Sequence, residues 1–351
     1  MAAGVGTRLM PLTLSVPKPM IPVGNVPLME NIVELLAGNG FTDIIVNLHY
    51  HAEAIADYFG DGSKWAAAIN YSYEEELQGT AGGVKRCEWF LNDTFVIVSG
   101  DALTDIDLSG LVKEHKQKGA LATIAMKQVD KIEQFGVVIT DEYGRIQSFQ
   151  EKPRQEEALS NLANTGIYVF EPEIFKYIPA DQFYDFGKQV FPHLVRIGAP
   201  FYGVKTDNYW CDVGNIDTYR QAQVDLLQGK VKAKKRGSLL RSSDGGAVLL
   251  GEKAELGNNV TLLGNIVIGP GTVVEGNAVI RDSVIWDHTI IRKNVILSEC
   301  VVGSNCELGN SVIVNSGAAI ASGSVLPDET KIVENNRVFS TEAGKLNIQQ
   351  G

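Results

Sequence analysis

Cysteine and histidine are scarce in this sequence, four and five residues among 351, and their scarcity removes whole classes of chemistry. Cys87, Cys211, Cys300 and Cys306 form no CxxC pair and have no histidine at ligand spacing. Neither a disulfide framework nor a zinc site is expected, and the thiols read as reduced. His49 and His51 would share one face of a strand, but without a third ligand nearby in sequence they read as structural. No apolar run approaches the roughly 18 residues of a membrane span, and Pro11, Pro17 and Pro19 interrupt the opening segment where a signal peptide would be continuous. A cytoplasmic protein with no membrane partner is therefore expected. Positive charge is short as well: 31 Lys and Arg against 42 Asp and Glu leave a net charge of -11. That balance repels nucleic acid, so no such partner is expected, and any phosphate-bearing ligand must be met by a local positive pocket.

What is present is a change of pattern two thirds of the way along. The first part alternates strand-like apolar runs (Ile44 to Leu48, Phe95 to Val98, Leu121 to Ala125, Gly166 to Phe170) with amphipathic stretches (Leu28 to Ala37, Thr80 to Phe90, Leu108 to Lys118, Ile216 to Leu227). This predicts an α/β domain with a mostly parallel sheet over residues 1–228. Residues 229–246 are basic, with Lys230, Lys232, Lys234, Lys235, Arg236 and Arg241, and read as a solvated linker.

Residues 247–351 follow another rule. A large apolar residue recurs every six positions, first as Leu256, Leu262, Ile268, Val274, Ile280 and Trp286. A second phase follows as Val284, Ile290, Ile296, Val302, Leu308, Val314, Ile320 and Leu326. Turn-forming residues follow many of them, as in Val302-Gly303-Ser304-Asn305. A hexapeptide period held over about 70 residues predicts a parallel β-helix with one inward residue per side, the phase change near 280–284 marking a loop or an irregular corner.

The candidate chemistry begins at the amino end. Gly4-Val5-Gly6-Thr7-Arg8-Leu9 has leucine where a dinucleotide fingerprint has its third glycine, and Gly187-Lys188-Gln189 lacks the hydroxyl residue of a Walker loop. The segment nevertheless offers two glycines whose backbone can approach phosphate, a hydroxyl at Thr7 and a multidentate cation at Arg8. Ten residues later Lys18 stands between Pro17 and Pro19, so its ammonium is presented from a stiff loop at a reduced ordering cost.

Together these residues carry a family resemblance. The run from Ala2 to Thr13 with Pro17-Lys18-Pro19-Met20 resembles the signature of nucleoside-diphosphate-sugar pyrophosphorylases, the sugar-1-phosphate nucleotidyltransferases. Gly79-Thr80-Ala81-Gly82-Gly83 resembles the base-recognition loop in the form used by mannose-1-phosphate guanylyltransferases. Ser99-Gly100-Asp101, Glu151-Lys152-Pro153, Asn164-Thr165-Gly166 and Trp210-Cys211-Asp212-Val213-Gly214 resemble its metal-binding and sugar-binding elements.

The resemblance implies a Rossmann-like catalytic domain and a left-handed β-helix. It implies nucleotidyl transfer from a nucleoside triphosphate to a sugar 1-phosphate, with GTP and mannose 1-phosphate first and glucose 1-phosphate with UTP, dTTP or ATP as alternatives. By the same resemblance Arg8, Lys18 and Lys152 are catalytic. Ala3, Gly4, Gly6, Thr7, Gln78, Gly79, Thr80 and Gly82 meet the nucleotide, with Glu76 as a further polar candidate near the base. Gly136, Glu151, Asn164 and Gly166 meet the sugar, and Asp101 and Asp212 hold Mg²⁺. Local readings stay open beside these: Thr80 as a helix N-cap, Asn164 as a turn cap, and Glu151 with Lys152 as a surface ion pair.

Two other functions compete: a non-catalytic nucleotide-sugar-binding regulatory subunit, which would have no need to keep Arg8, Lys18, Asp101, Lys152 and Asp212 together, and a bifunctional enzyme with an added acyltransferase activity on the β-helix at His288. A homo-oligomer formed through the β-helix is expected. Relatives in this family place a hydrophobic strand directly before the glycine loop, and Met1 stands where that strand would end. The resemblance therefore carries the expectation of a start a few codons upstream.

Overall fold

The computed structural model describes residues 1–340 and 346–351. Up to the basic segment the elements run β1 (Pro22–Val23), β2 (Val26–Pro27), α1 (Leu28–Gly38), β3 (Asp43–Leu48), α2 (Ala52–Phe59), β4 (Ala68–Tyr73), α3 (Gly79–Lys85), β5 (Phe95–Val98) and β6 (Ala102–Thr104). They continue with α4 (Leu108–Gln117), β7 (Ala122–Gln128), β8 (Gly136–Thr140), β9 (Ile146–Glu151), β10 (Leu162–Phe170), α5 (Phe191–Arg196), β11 (Phe201–Lys205), β12 (Trp210–Asp212) and α6 (Ile216–Leu227). The helix ends follow capping chemistry. The Asp107 carboxylate accepts from the Gly110 amide at 2.8 Å to start α4, and Asn215 and Thr218 form a reciprocal capping box that starts α6.

The chain divides into two compact units, Met1–Gly4 with Ile32–Trp210 and Val5–Asn31 with Cys211–Gly351. In the first, a sheet runs β11-β7-β10-β8-β9, and β5 pairs with the far end of β10. β11 lies parallel to β7, while β10 runs antiparallel to β5, β7 and β8. The α/β architecture is the expected one, with an antiparallel centre that alternation of apolar runs does not resolve. Phe170, Phe186 and Phe191 stack in its core with centroids 5.2 to 5.6 Å apart for the stacked pairs.

β3 and β4 form a separate parallel pair. The first two residues reach both this pair and β5. The Met1 ammonium donates to the Val98 carbonyl at 2.7 Å, its carbonyl accepts from Gly100 at 2.8 Å, and the Ala2 amide donates to Asn47 Oδ1 on β3 at 3.0 Å. Burial lowers the pKa of that ammonium.

The second unit contains the β1–β2 hairpin, α6 and a left-handed parallel β-helix whose three faces are sheets of eight, five and five strands. The basic segment is not a solvated tether. The Glu30 carboxylate, fully buried, meets Lys234 Nζ at 3.1 Å and Arg236 Nη2 at 2.5 Å, and Lys230 pairs with Asp225 at 2.8 Å. From Ser238 to Arg241 the chain is already a strand, the first of the eight.

Corners of the helix sit in the left-handed region, and short polar residues recur there. Asn259, Asn277 and Asn294 adopt φ of 56°, 61° and 60°, and their side-chain amides bond from coil to coil at 3.3 Å. The inward residues differ from the expected phases in one stretch. After Ile280 the buried interior positions are Ile285, Ile291 and Leu297, then Val302 and Leu308. Two sides are thus one residue short, and there is no irregular loop. Ile290 and Ile296 consequently turn outward, Ile296 being 40% exposed. Trp286 is buried without joining the interior stack, and Leu256 is exposed.

The shortened sides predict a sharp contrast between neighbours. Leu297→Ala should cost about 2–5 kcal/mol in denaturant unfolding, because it empties a sealed interior. Ile296→Ala should change stability by no more than about 0.5 kcal/mol.

Candidate functional site

The glycine segment folds as a short turn of 3-10 helix, Thr7–Leu9, entered through Gly6 at φ 70°. Gly6 is required there for two reasons: its backbone is left-handed, and a Cβ would stand 2.9 Å from the Lys18 Cβ. Thr13 Oγ1 donates to the Gly6 carbonyl at 2.9 Å and closes the loop. At Gly4 nothing lies within 4 Å of where a Cβ would be, so neither packing nor a left-handed φ demands glycine.

Lys18 begins a further 3-10 turn, Lys18–Met20, and its side chain is only 9% exposed. Its ammonium lies 3.1 Å from Asp212 Oδ1, and Arg8 Nη2 lies 3.9 Å from Asp212 Oδ2. Two cations named from the sequence thus converge on the carboxylate of a third residue named there. Asp212 ends β12, three residues before the Asn215 cap of α6, so the rigid helix start fixes its place.

Asp101 follows β5 in the turn predicted for it, and the Ser99 hydroxyl donates to its Oδ1. No cluster of three or more metal-type side chains occurs among the described residues. Asp101 and Asp212 are hard oxygen donors. Each is of the donor type that a divalent cation takes alongside water and substrate oxygens.

The base-loop candidates lie at the start of α3 and are zipped to residues 182–188. Tyr184 donates its amide to the Gln78 carbonyl at 2.8 Å, and its own carbonyl accepts from Ala81 at 2.9 Å and Gly82 at 3.0 Å. Gly79, at φ 74°, leaves room for this carbonyl, which a Cβ would meet at 2.5 Å. Gly82 is buried against Gln182. The N-cap position belongs to Gln78, not Thr80. The Thr80 hydroxyl instead donates to Asp185 at 2.9 Å and accepts from the Phe186 amide at 2.9 Å. Among the described residues Gln78 Oε1 is buried with no hydrogen-bond partner, which leaves an acceptor free at the loop. Beneath the loop sits Glu74, 4% exposed, accepting from the Gln78 amide at 3.0 Å and from Asn47 at 2.8 Å. Glu76 is exposed. Sequence reasoning missed Glu74 because nothing in Glu74-Glu75-Glu76 distinguishes the buried acid.

Among the sugar candidates, Gly136 and Gly187 flank the Glu151 carboxyl, a Cβ on either falling 3.1 or 2.9 Å from Oε2. Desolvation on that side raises the Glu151 pKa; Lys152 opposes the shift, Asp185 adds to it and Lys188 opposes it. Lys152 itself is exposed, in a left-handed conformation at φ 48° uncommon for lysine, and its amide donates to the Phe135 carbonyl at 3.1 Å. Asn164 is engaged on both ends. Its Nδ2 donates to Tyr168 Oη at 3.0 Å and its Oδ1 accepts from Gly166 at 3.0 Å, which holds a bulge in β10 beside Ser99. Asp185 was also missed. It caps the turn from Phe186 through the Gly187 and Lys188 amides and ties that turn to Thr80.

Two outcomes follow. Lys18→Ala should lower turnover at least about 100-fold while circular dichroism stays native, since it removes the one near-buried cation on Asp212. The raised pKa means that folding favours protonated Glu151; that stabilisation is present at acid pH and is lost as pH rises through the folded-state pKa. Glu151→Gln should therefore leave thermal stability at pH 7 equal or higher and lower turnover about tenfold or more.

Comparison with known proteins agrees with this organisation. A family model described as nucleotidyl transferase matches residues 1–229, and one described as the GMPPB C-terminal domain matches residues 245–348. A UTP–glucose-1-phosphate uridylyltransferase of Synechocystis is 47% identical over 246 residues, covering 66% of this chain and 63% of that protein. A mannose-1-phosphate guanylyltransferase of Mycobacterium tuberculosis is 35% identical over 231 residues, covering 65% of this chain and 64% of that protein. The matched region thus spans under two thirds of each relative. A solved structure from Bacillus anthracis, assigned provisionally as a glucose-1-phosphate thymidylyltransferase, superposes with a TM-score of 0.60 at 26% identity, covering 67% of this chain and 95% of that one. The chain belongs to the nucleotidyl transferase family.

Proposed function

We propose that this protein transfers a nucleotidyl group from a nucleoside triphosphate to a sugar 1-phosphate, releasing pyrophosphate. The observation that carries this reading is the convergence of Arg8 and the near-buried Lys18 on Asp212, next to a glycine turn. In the reaction an oxygen of the sugar phosphate forms a bond to the α-phosphorus as the bond to the bridging β-phosphate oxygen breaks. The nucleophile is already an anion at neutral pH, so no general base is needed, and the task is to bring polyanions together.

Lys18 neutralises the reacting phosphates, and Arg8, more exposed, takes the departing pyrophosphate. The Ala3 and Gly4 backbone with Gly6 and Thr7 receives the triphosphate. Lys152 holds the sugar phosphate, and Gly136, Glu151, Asn164 and Gly166 form the sugar end. Asp101 and Asp212 are the carboxylates for Mg²⁺, which would supply charge neutralisation when bound. A catalytic domain over 1–228, a connecting segment over 229–246 and a β-helix from 247 onward, working in the cytoplasm as a homo-oligomer, complete the proposal.

For the substrate pair, GTP with mannose 1-phosphate is supported by Thr80-Ala81-Gly82 and by the match of the carboxyl-terminal region to the GMPPB C-terminal domain. UTP with glucose 1-phosphate is favoured by the relative that is 47% identical. Gln78 Oε1, buried without a partner among the described residues, suits either base, because guanine presents a lactam N–H and uracil an imide N–H to an acceptor. Pyrophosphate release measured over a panel of four triphosphates against glucose 1-phosphate and mannose 1-phosphate tests both levels. Mg²⁺-dependent release, fastest with GTP and mannose 1-phosphate, is expected. Faster release with another pair would overturn the pair and keep the reaction, whereas no release with any pair would overturn the reaction.

A further inference from the structure

Trp286 breaks the rule of its own domain. It stands directly after Ile285 on the β-helix, is 2% exposed, and yet lies outside the interior stack. Its indole Nε1 donates at 2.8 Å to the hydroxyl of Tyr219 on α6, with the two rings edge to face and 6.4 Å apart. The Tyr219 hydroxyl passes its own proton on, donating at 2.6 Å to the Pro22 carbonyl. Gln223, one helical turn along α6, donates to the same carbonyl at 2.8 Å, and its Oε1 accepts from the Gly24 amide at 2.8 Å. Tyr219 and Gln223 are 0% and 2% exposed, so the bonds from Trp286 and from Gly24 are made away from water and those to the Pro22 carbonyl at a half-buried position.

The relay ends close to the chemistry. Pro22 follows Ile21, whose amide donates to the Lys18 carbonyl at 3.2 Å, and Pro19 stiffens the intervening turn. The same α6 that carries Tyr219 and Gln223 begins just after Asp212, the partner of the Lys18 ammonium. The lysine is therefore held at both ends around α6: Asp212, in the strand end that leads into the helix, meets the ammonium, and Tyr219 and Gln223 on the helix bond the Pro22 carbonyl that follows the turn. The tyrosine hydroxyl has a single proton and gives it to Pro22. Trp286 is the donor that occupies its acceptor side and fixes its rotation.

We propose that Trp286, through Tyr219, is a positioning residue for Lys18: the β-helix sets where the phosphate-binding ammonium stands. The role proposed for Lys18 rests on the nucleotidyl-transfer reading, but its placement by Trp286 is a statement about geometry and can be tested without turnover. Trp286→Phe keeps an aromatic ring in the pocket, removes the N–H donor and gives up part of the indole volume, whereas Tyr219→Phe changes the hydroxyl alone. Tyr219→Phe removes the bonds to Trp286 and to Pro22 together.

The test is competitive acetylation of the full-length protein with limiting acetic anhydride, each lysine being followed by mass spectrometry, with steady-state kinetics beside it. In both variants Lys18 is expected to label several-fold faster than in the parent, while the exposed Lys176 is unchanged. The kcat is expected to fall about tenfold with KM for the triphosphate changed less than twofold, a split that general loosening of the fold would not produce. Unchanged Lys18 labelling in a folded Trp286→Phe protein overturns the proposal, whether or not the parent turns over substrate. If Trp286→Phe does not fold, unchanged labelling in Tyr219→Phe overturns it equally. Absence of nucleotidyl transfer in the parent would instead overturn the functional reading, and faster Lys18 labelling in the variants would still establish the positioning.

Discussion

The contact on which the candidate site depends is the ion pair between Lys18 and Asp212, 194 residues apart in sequence and 3.1 Å apart in space. The lysine side chain is 9% exposed and the aspartate 22%, so both have given up most of their hydration. A pair in that setting adds little net stability, but removing one partner leaves the other uncompensated, a loss of about 3–5 kcal/mol where burial is complete. What the arrangement secures is position. An ammonium that must meet phosphate is held by a carboxylate that can release it, and Arg8 waits on the second oxygen of the same carboxylate.

Much around the pair exists to hold its two ends still. Gly6 leaves room for the Lys18 Cβ, Pro17 and Pro19 stiffen the turn, and the capping box of Asn215 and Thr218 anchors the helix that follows Asp212. The same logic recurs around the base loop, where Tyr184, Asp185 and Glu74 lock Gln78 to Gly82 by hydrogen bonds and leave one acceptor, Gln78 Oε1, unused. Rigid loops with a single unsatisfied polar atom lower the ordering cost of binding, since the ligand completes a network already formed. Family membership and geometry are then two separate supports for the same reading.

The β-helix contributes stability through repetition. Each coil buries aliphatic side chains only against the next, and many of the left-handed corners are met by asparagine or glycine, which reach that conformation at lower cost, while Lys253, Glu299, Ser311 and Glu329 hold it as well. One-residue deletions on two sides are absorbed without a loop because the remaining corner can still turn. The basic segment before it is held on buried Glu30, so a composition that looked like a flexible tether became a docked strap.

The sequence by itself determined the two architectures, the family, and the residue types at the amino end. Those signals are local or periodic: the spacing of glycine, proline, lysine and arginine between residues 4 and 19, and a period of six near the carboxyl end. They survive in one dimension because the physics behind them, backbone freedom and the stacking repeat, acts over a few residues. The tertiary structure alone decided which of three adjacent acids, Glu74, Glu75 and Glu76, is buried, that Thr80 ties to Asp185 rather than capping its helix, that Asn164 spends its amide on a bulge, and that Trp286 faces Tyr219 instead of the solenoid interior. Each of these is settled by a partner many residues away, and a hydrogen bond across such a separation depends on how whole elements pack, which no local spacing encodes.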